Sequence, residues 1–217
     1  MSVPRLHALG DAALLCELPA PATLQQQQRI WALAAEARQW PAVQEVLQGM
    51  NNLTLMFDPA MADQAELEMQ VLAAWPQLGA AGIEGRDVVI PVAYGGEHGP
   101  DLADVAAHTG LSPAEVVRRH SGGSYIVYLL GFLPGFAFMG GLPAELATPR
   151  RAEPRVAVPA RSVGIGGEQT GVYPLVSPGG WQLIGRTSIE LFDPVAADPT
   201  LLRPGDRVRF VAESVTL

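Results

Sequence analysis

The sequence predicts an α+β protein in two parts, a small sheet with helices on one face followed by a closed or nearly closed β-barrel. Over residues 1–90 the apolar spacing alternates between strand-like and helix-like runs in the order β-α-β-β-α-β. From Ser124 onward short β-rich runs follow one another with Gly and Pro between them, the pattern of a barrel. Glycine use changes as well, since thirteen of the 23 glycines fall between Gly122 and Gly185 together with seven prolines. The expected domains are therefore 1–90 and 91–217.

Each element has a local reason. Ala12 to Leu18 reads as a strand, and Thr23 to Trp40 as a helix with Leu24, Ile30, Leu33, Ala34 and Ala37 at three-to-four spacing, stopped by Pro41. Val43 to Leu47 and Leu53 to Phe57 are strand-like and flank the hairpin signal Gln48-Gly49-Met50-Asn51-Asn52. Ala65 to Trp75 is a second amphipathic helix, and Asp87 to Val92 returns as a strand, completing a ferredoxin-like split βαβ order. Asp101 is placed to cap a helix from Leu102 to His108, and Ser112-Pro113-Ala114-Glu115 is a capping box opening a helix to about His120. The barrel strands are expected at Tyr125 to Leu130, Val156 to Val158, Ser162 to Ile165, Trp181 to Ile184, Ser188 to Phe192 and Arg207 to Val211.

Composition removes several function classes. All fourteen basic residues are Arg, which excludes Schiff-base lysines and the lysine phosphate loop. A net charge of -8 opposes nucleic-acid binding. The uncharged run from Ser121 to Ala144 is long enough to span a bilayer, but its glycines and Pro134 speak against a lipid-facing helix. With no signal-peptide pattern at the N-terminus, the expected compartment is the cytoplasm. Cys16, the lone cysteine, sits in an apolar run and is expected to pack as an inert hydrophobe.

Candidate chemistry lies in the second half. The glycines of Ser162 to Gly171 could bare N–H groups to an anion, or simply form a barrel turn; Gln169 and the lack of a following helix exclude a dinucleotide fingerprint. Gly180 to Thr187 has the spacing of a phosphate loop with Arg186 in the lysine place, but its apolar interior and the period-two run after it read as a hairpin. Arg186 retains the ability to grip a carboxylate or phosphate with two parallel hydrogen bonds. Six arginines between Arg118 and Arg161 face only Glu145 and Glu153, so Arg150 and Arg155 are read either as anion contacts or as solvated loop charges, and Arg118 and Arg119 as helix-end charges. The spacings of His98, His108 and His120 match no familiar metal site, and no G-x-S-x-G elbow accompanies them. His120 remains a candidate general base. The string Phe132 to Phe138, with Tyr173 and Trp181, reads as core or as the wall of a pocket.

Taken together, Tyr94-Gly95-Gly96-Glu97, His120-Ser121, Gly131 to Phe136, Pro149-Arg150 and Val158 to Phe192, the last with Gln169-Thr170-Gly171-Val172-Tyr173-Pro174, Ser177 to Trp181 and Gly185-Arg186-Thr187, resemble the family of 5-oxoprolinase B subunits, also called the kinase A inhibitor or allophanate hydrolase subunit 1 family. The resemblance covers essentially the whole chain and implies an N-terminal α/β domain followed by a cyclophilin-like β-barrel. It implies two partners, the C subunit of 5-oxoprolinase, which has a homologous architecture, and the A subunit. The three together open 5-oxoproline to glutamate at the expense of ATP with its Mg2+. On that reading Arg155, Gln169, Tyr173 and Arg186 supply charge and donors to phosphoryl transfer, and His120 supplies a base. Gly164, Gly166, Gly167, Thr170 and Thr187 hold the nucleotide, either in this chain or only with its partners. Three positions depart from the family pattern: Arg161 where Gly is usual, Gly166 where Ala is usual, and Glu168 where a small residue is common.

Two rival readings accompany the resemblance, inhibition of a sensor histidine kinase and a share in the carboxyl transfer of a urea carboxylase. Fold alone does not choose among them. The enzyme reading expects Gln169, Tyr173 and Arg186 to converge on one polar pocket.

Overall fold

The structure, a computed structural model, describes residues 3–79 and 85–217. The chain divides into two compact units, Met1–Ile83 and Glu84–Leu217. The first holds β1 (Arg5–Ala8), β2 (Ala13–Glu17), α1 (Leu24–Ala37), β3 (Val43–Gln48), β4 (Asn52–Phe57) and α2 (Gln64–Ala74). Its strands form one antiparallel sheet in the order β1-β2-β4-β3. Thr23 and Asp63 each close a full capping box, with Gln26 and Glu66, so both helices start where a side chain meets the free amides. Ile30, Leu33, Leu53, Leu55, Leu67 and Val71 share one buried core. Cys16 lies within it, and burial first, then the charge of Glu68, pushes its thiol up to about 12, which leaves it protonated and unreactive at neutral pH.

This corrects the expected split βαβ unit in one strand. The fourth strand of the sheet is Arg5–Ala8, not Asp87 to Val92, and the division falls at residue 83 instead of 90. Arg5–Ala8 escaped the sequence reading because it is a mostly exposed edge strand of four residues, too short for its polar–apolar alternation to stand out.

The second unit contains β5 (Asp87–Gly95), α3 (Leu102–Thr109), α4 (Pro113–Gly122), β6 (Tyr125–Leu130), β7 (Ala137–Gly140), β8 (Arg155–Val158), β9 (Ser162–Gly166), β10 (Gln169–Val172), β11 (Ser177–Gly179), β12 (Gln182–Arg186) and β13 (Arg207–Thr216). Seven of these strands close a barrel in the order β10-β7-β6-β13-β5-β12-β9, and β8 and β11 form a separate ribbon. β5 enters the barrel by running parallel to β13 along its whole length, from Asp87 opposite Arg207 to Gly95 opposite Thr216. The interior is filled by Ile90, Val92, Val127, Met139, Val163, Ile165 and Phe210, which pack with Val105 and Val116 of the two helices. Ser188 to Phe192, expected as a strand, is a loop in which Phe192 alone bridges to Thr200. The glycine-rich run from Ser121 to Ala144 supplies β6 and β7, and among the described residues no helix is long and apolar enough to cross a membrane.

Two caps also differ from expectation. Ser112 accepts from the Glu115 amide at 3.2 Å, but Glu115 is drawn onto Arg118 and Arg119 instead of back to the cap. Asp101 occupies the cap position of α3 without capping it. Its carboxylate accepts from both terminal nitrogens of Arg155 at 2.8 and 2.7 Å, from Arg151 Nη1 at 3.1 Å and from the Leu183 amide at 2.6 Å. A carboxylate buried to 3% exposure needs such partners, and two guanidiniums outcompete one helix amide.

Candidate functional site

His120 sits on the inner face of α4, fully buried among Tyr94, Tyr125 and Phe210. Thr170 Oγ1 donates to the Gly164 carbonyl at 3.0 Å, so its single proton is used. His120 Nε2 must then donate to Thr170 Oγ1 across 2.8 Å, and Nδ1 accepts from the Tyr94 hydroxyl at 2.7 Å. The result is a one-way chain from Tyr94 through His120 and Thr170 to the barrel backbone. Burial pushes the His120 imidazole down to about 3, as a neutral ring with two satisfied nitrogens requires. The expected general base is therefore a core imidazole with no nitrogen to offer, and the Thr170 hydroxyl is equally committed.

The glycines expected to cradle a nucleotide belong to the β9–β10 hairpin. Their ladder partners are Gly171 and Leu183 for Gly164, and Gln169 for Gly166, while the Gly167 amide donates to the Thr148 carbonyl at 2.8 Å. Small size serves packing at Gly166, where a Cβ would stand 2.4 Å from the Trp181 indole nitrogen, whereas Gly167 has open space beside it and a left-handed φ of 65°. Gly164, Gly166, Gly167 and Thr170 thus do not fit a phosphate loop. Arg155 is spent on Asp101. Among the described residues no group of three or more His, Cys, Asp or Glu side chains is placed to hold a metal ion.

Two cavities take arginines into their walls, on separate sets of side chains. One, of about 270 Å³, is lined by Ala93, His98, Arg161, Arg186, Thr187, Ser188 and Glu213. Arg186 donates through Nε to the Ala160 carbonyl at 3.0 Å, leaving its terminal nitrogens free to turn to a ligand. Arg161 stands beside it at φ 70°, a left-handed conformation that explains why glycine suits this position, and it reaches the Ser188 carbonyl at 3.4 Å. Neither guanidinium has a carboxylate partner among the described residues, and Arg161 does not pair with Glu168. By contrast Arg86, Arg118, Arg119, Arg203 and Arg207 are all in ion pairs. Two guanidiniums without carboxylate partners thus share this wall with Thr187, Ser188 and the Glu213 side chain.

The other cavity, of about 290 Å³, is walled by Phe132, Phe136, Phe138, Tyr173 and Trp181 with Arg150, Pro154, Pro178, Gly179 and Gly180. Burial raises the Tyr173 hydroxyl, against the Trp181 backbone and the charges of Arg150 and Arg155, which lower it. Arg186 and Thr187 are thus brought together, Tyr173 lies in the other cavity, and Gln169 lines neither. The expected convergence of Gln169, Tyr173 and Arg186 does not occur. The sequence reading missed Asp101 as an arginine anchor, whose only signal was the arginine excess of the loop from Pro149 to Arg155.

Comparison with known proteins bears on the same residues. The family model described as carboxyltransferase domain, subdomain C and D, matches residues 4–202. The chain is 52% identical over 213 residues to the 5-oxoprolinase B subunit of Escherichia coli O157:H7, covering 98% of each. It is 48% identical over 209 residues to the 5-oxoprolinase B subunit of Haemophilus influenzae, covering 96% of this chain and 98% of the other. The chain belongs to the family of 5-oxoprolinase B subunits. Among solved structures it matches TTHA0988 at a TM-score of 0.79 and 37% identity, covering 93% of this chain and 40% of that longer one. The urea amidolyase of K. lactis matches at a TM-score of 0.83 and 21% identity, over 97% of this chain and 15% of that one, which is a likeness of fold.

Proposed function

We propose that this chain is the B subunit of a cytoplasmic 5-oxoprolinase that works with the A and C subunits to open 5-oxoproline to L-glutamate, with ATP hydrolysed to ADP and phosphate. The observation that carries the reading is 52% and 48% identity, over nearly the full length of both chains, to proteins named as 5-oxoprolinase B subunits. A lactam is a poor electrophile. ATP supplies the activation of its carbonyl by phosphoryl transfer with release of ADP, after which one water opens the ring and a second frees phosphate to leave glutamate. The contribution of this chain is charge at a fixed place: Arg161 and Arg186, in a wall shared with Glu213, offer guanidinium groups to a phosphate of the partner-held ATP. The consumed amides of the β9–β10 hairpin favour a nucleotide held with the partner subunits.

The test is to purify the chain together with its A and C partners and to measure glutamate released from 5-oxoproline with ATP present. Turnover is expected with all three subunits and none with any one left out. Absence of turnover with all three present would favour the kinase-inhibitor or the carboxyl-transfer reading.

A further inference from the structure

We propose that the aromatic cavity between Phe132 and Trp181 is a binding site for a small carboxylate on a compact ring, with Arg150 gripping the carboxylate. Naming 5-oxoproline as that carboxylate rests on the proposed function; the class of ligand does not. The walls are fixed in advance, since Phe136 meets Tyr173 and Trp181 edge-to-face at centroid distances of 5.2 and 5.4 Å. Interlocked rings present flat apolar faces with little left to order on binding. Of the three arginines in the neighbouring loop, Arg151 and Arg155 are held by Asp101. Arg150 has no carboxylate partner among the described residues, and its guanidinium carbon lies 6.0 Å from the centre of the Trp181 ring.

Phe132 adds an independent observation. It is 61% exposed, yet its backbone is left-handed at φ 68°, a conformation that bulky residues rarely adopt. Its ring still stands over the cavity, edge-to-face with Phe136 at 5.5 Å and Tyr173 at 6.4 Å. Burial in the free chain does not explain that placement, because the ring remains largely in water. A ligand ring covering it would. The guanidinium disfavours a cation, and a volume of about 290 Å³ excludes a long chain. Ring faces together with one bidentate cation select a compact ring bearing one carboxylate.

Trp181 is the only tryptophan beyond residue 83, and its emission, read on the full chain, reports binding. Three probes separate the parts of the ligand: 5-oxoproline, 2-pyrrolidinone as the ring without the carboxylate, and acetate as the carboxylate without the ring. 5-Oxoproline is expected to shift the emission saturably, Arg150→Ala to weaken it roughly tenfold or more, Arg150→Lys to recover part of the loss, and 2-pyrrolidinone to be indifferent to residue 150. In the three-subunit enzyme Arg150→Ala should raise KM for 5-oxoproline by a like factor with kcat within about threefold. Binding unaffected by both Arg150→Ala and Phe132→Ala overturns the proposal. So does an assembly that turns over 5-oxoproline with KM unchanged by Arg150→Ala, even though the 5-oxoprolinase reading then stands. Arg150-dependent binding without turnover in the full assembly upholds the cavity and removes that reading instead.

Discussion

Arg186 keeps its terminal nitrogens free because the Ala160 carbonyl holds only Nε, so its removal subtracts anion affinity without exposing core. Arg186→Ala is expected to lower turnover of the assembled enzyme by about 10²–10³, the scale of loss when one hydrogen-bond donor to transition-state charge is removed. Thermal unfolding of the chain should stay within a few degrees of the parent, which a melting curve checks. His120 gives a prediction of the opposite kind, with stability and no catalysis at stake. Burial takes its imidazole from 6.5 to about 3, so as pH falls below about 6.5 the unfolded chain takes up a proton that the folded chain refuses. Its contribution to stability is complete above that pH and is lost toward the folded value at about 1.4 kcal/mol per pH unit. Denaturant unfolding of the chain at pH 7 and pH 5 should show this slope, and His120→Asn should lack that part of it. A slope equal in both proteins would mean that the ring is not buried neutral.

Between elements, the Asp101 carboxylate is the knot that joins the start of α3 to the Arg155 strand and to the Leu183 amide of β12. Asp101→Ala leaves two guanidiniums and one amide without their acceptor, and is expected to destabilise the barrel unit by about 3–5 kcal/mol, measured by urea denaturation. A cap is a contact between residues three apart, yet the two full capping boxes, at Thr23 and Asp63, passed unread in the sequence. Asp101 and Glu115 sit at equally good positions, but arginines bind them more strongly than the helix amides do. Arg155 is 54 positions away from Asp101 in sequence, and no local pattern records such competition. The glycine-rich hairpin was visible as a turn, while its purpose, room for Trp181, depended on which ring would face it.

For the whole molecule, the strand that decides the architecture is β5. It lies between β12 and β13 in the barrel, so a fragment beginning at residue 91 loses Asp87 to Ile90 from the longest pairing in that unit. A fragment of residues 85–217 is expected to unfold in one cooperative transition by circular dichroism. One of residues 91–217 should give no such transition and should aggregate through its unpaired edges. Equal cooperativity of the two fragments would return β5 to the first unit. The sequence by itself determined what local and compositional physics fixes: the two-part α+β plan, both helices of the first sheet, the absence of lysine chemistry, the inert cysteine and the family. Tertiary structure alone decided where β5 pairs, that His120 and Thr170 face inward, that Arg155 is consumed while Arg150, Arg161 and Arg186 are not, and that these three arginines divide between two cavities. Strand partners and ion partners are chosen by closure of a barrel across more than a hundred residues, and the energy of that choice resides in contacts that no stretch of neighbouring residues contains.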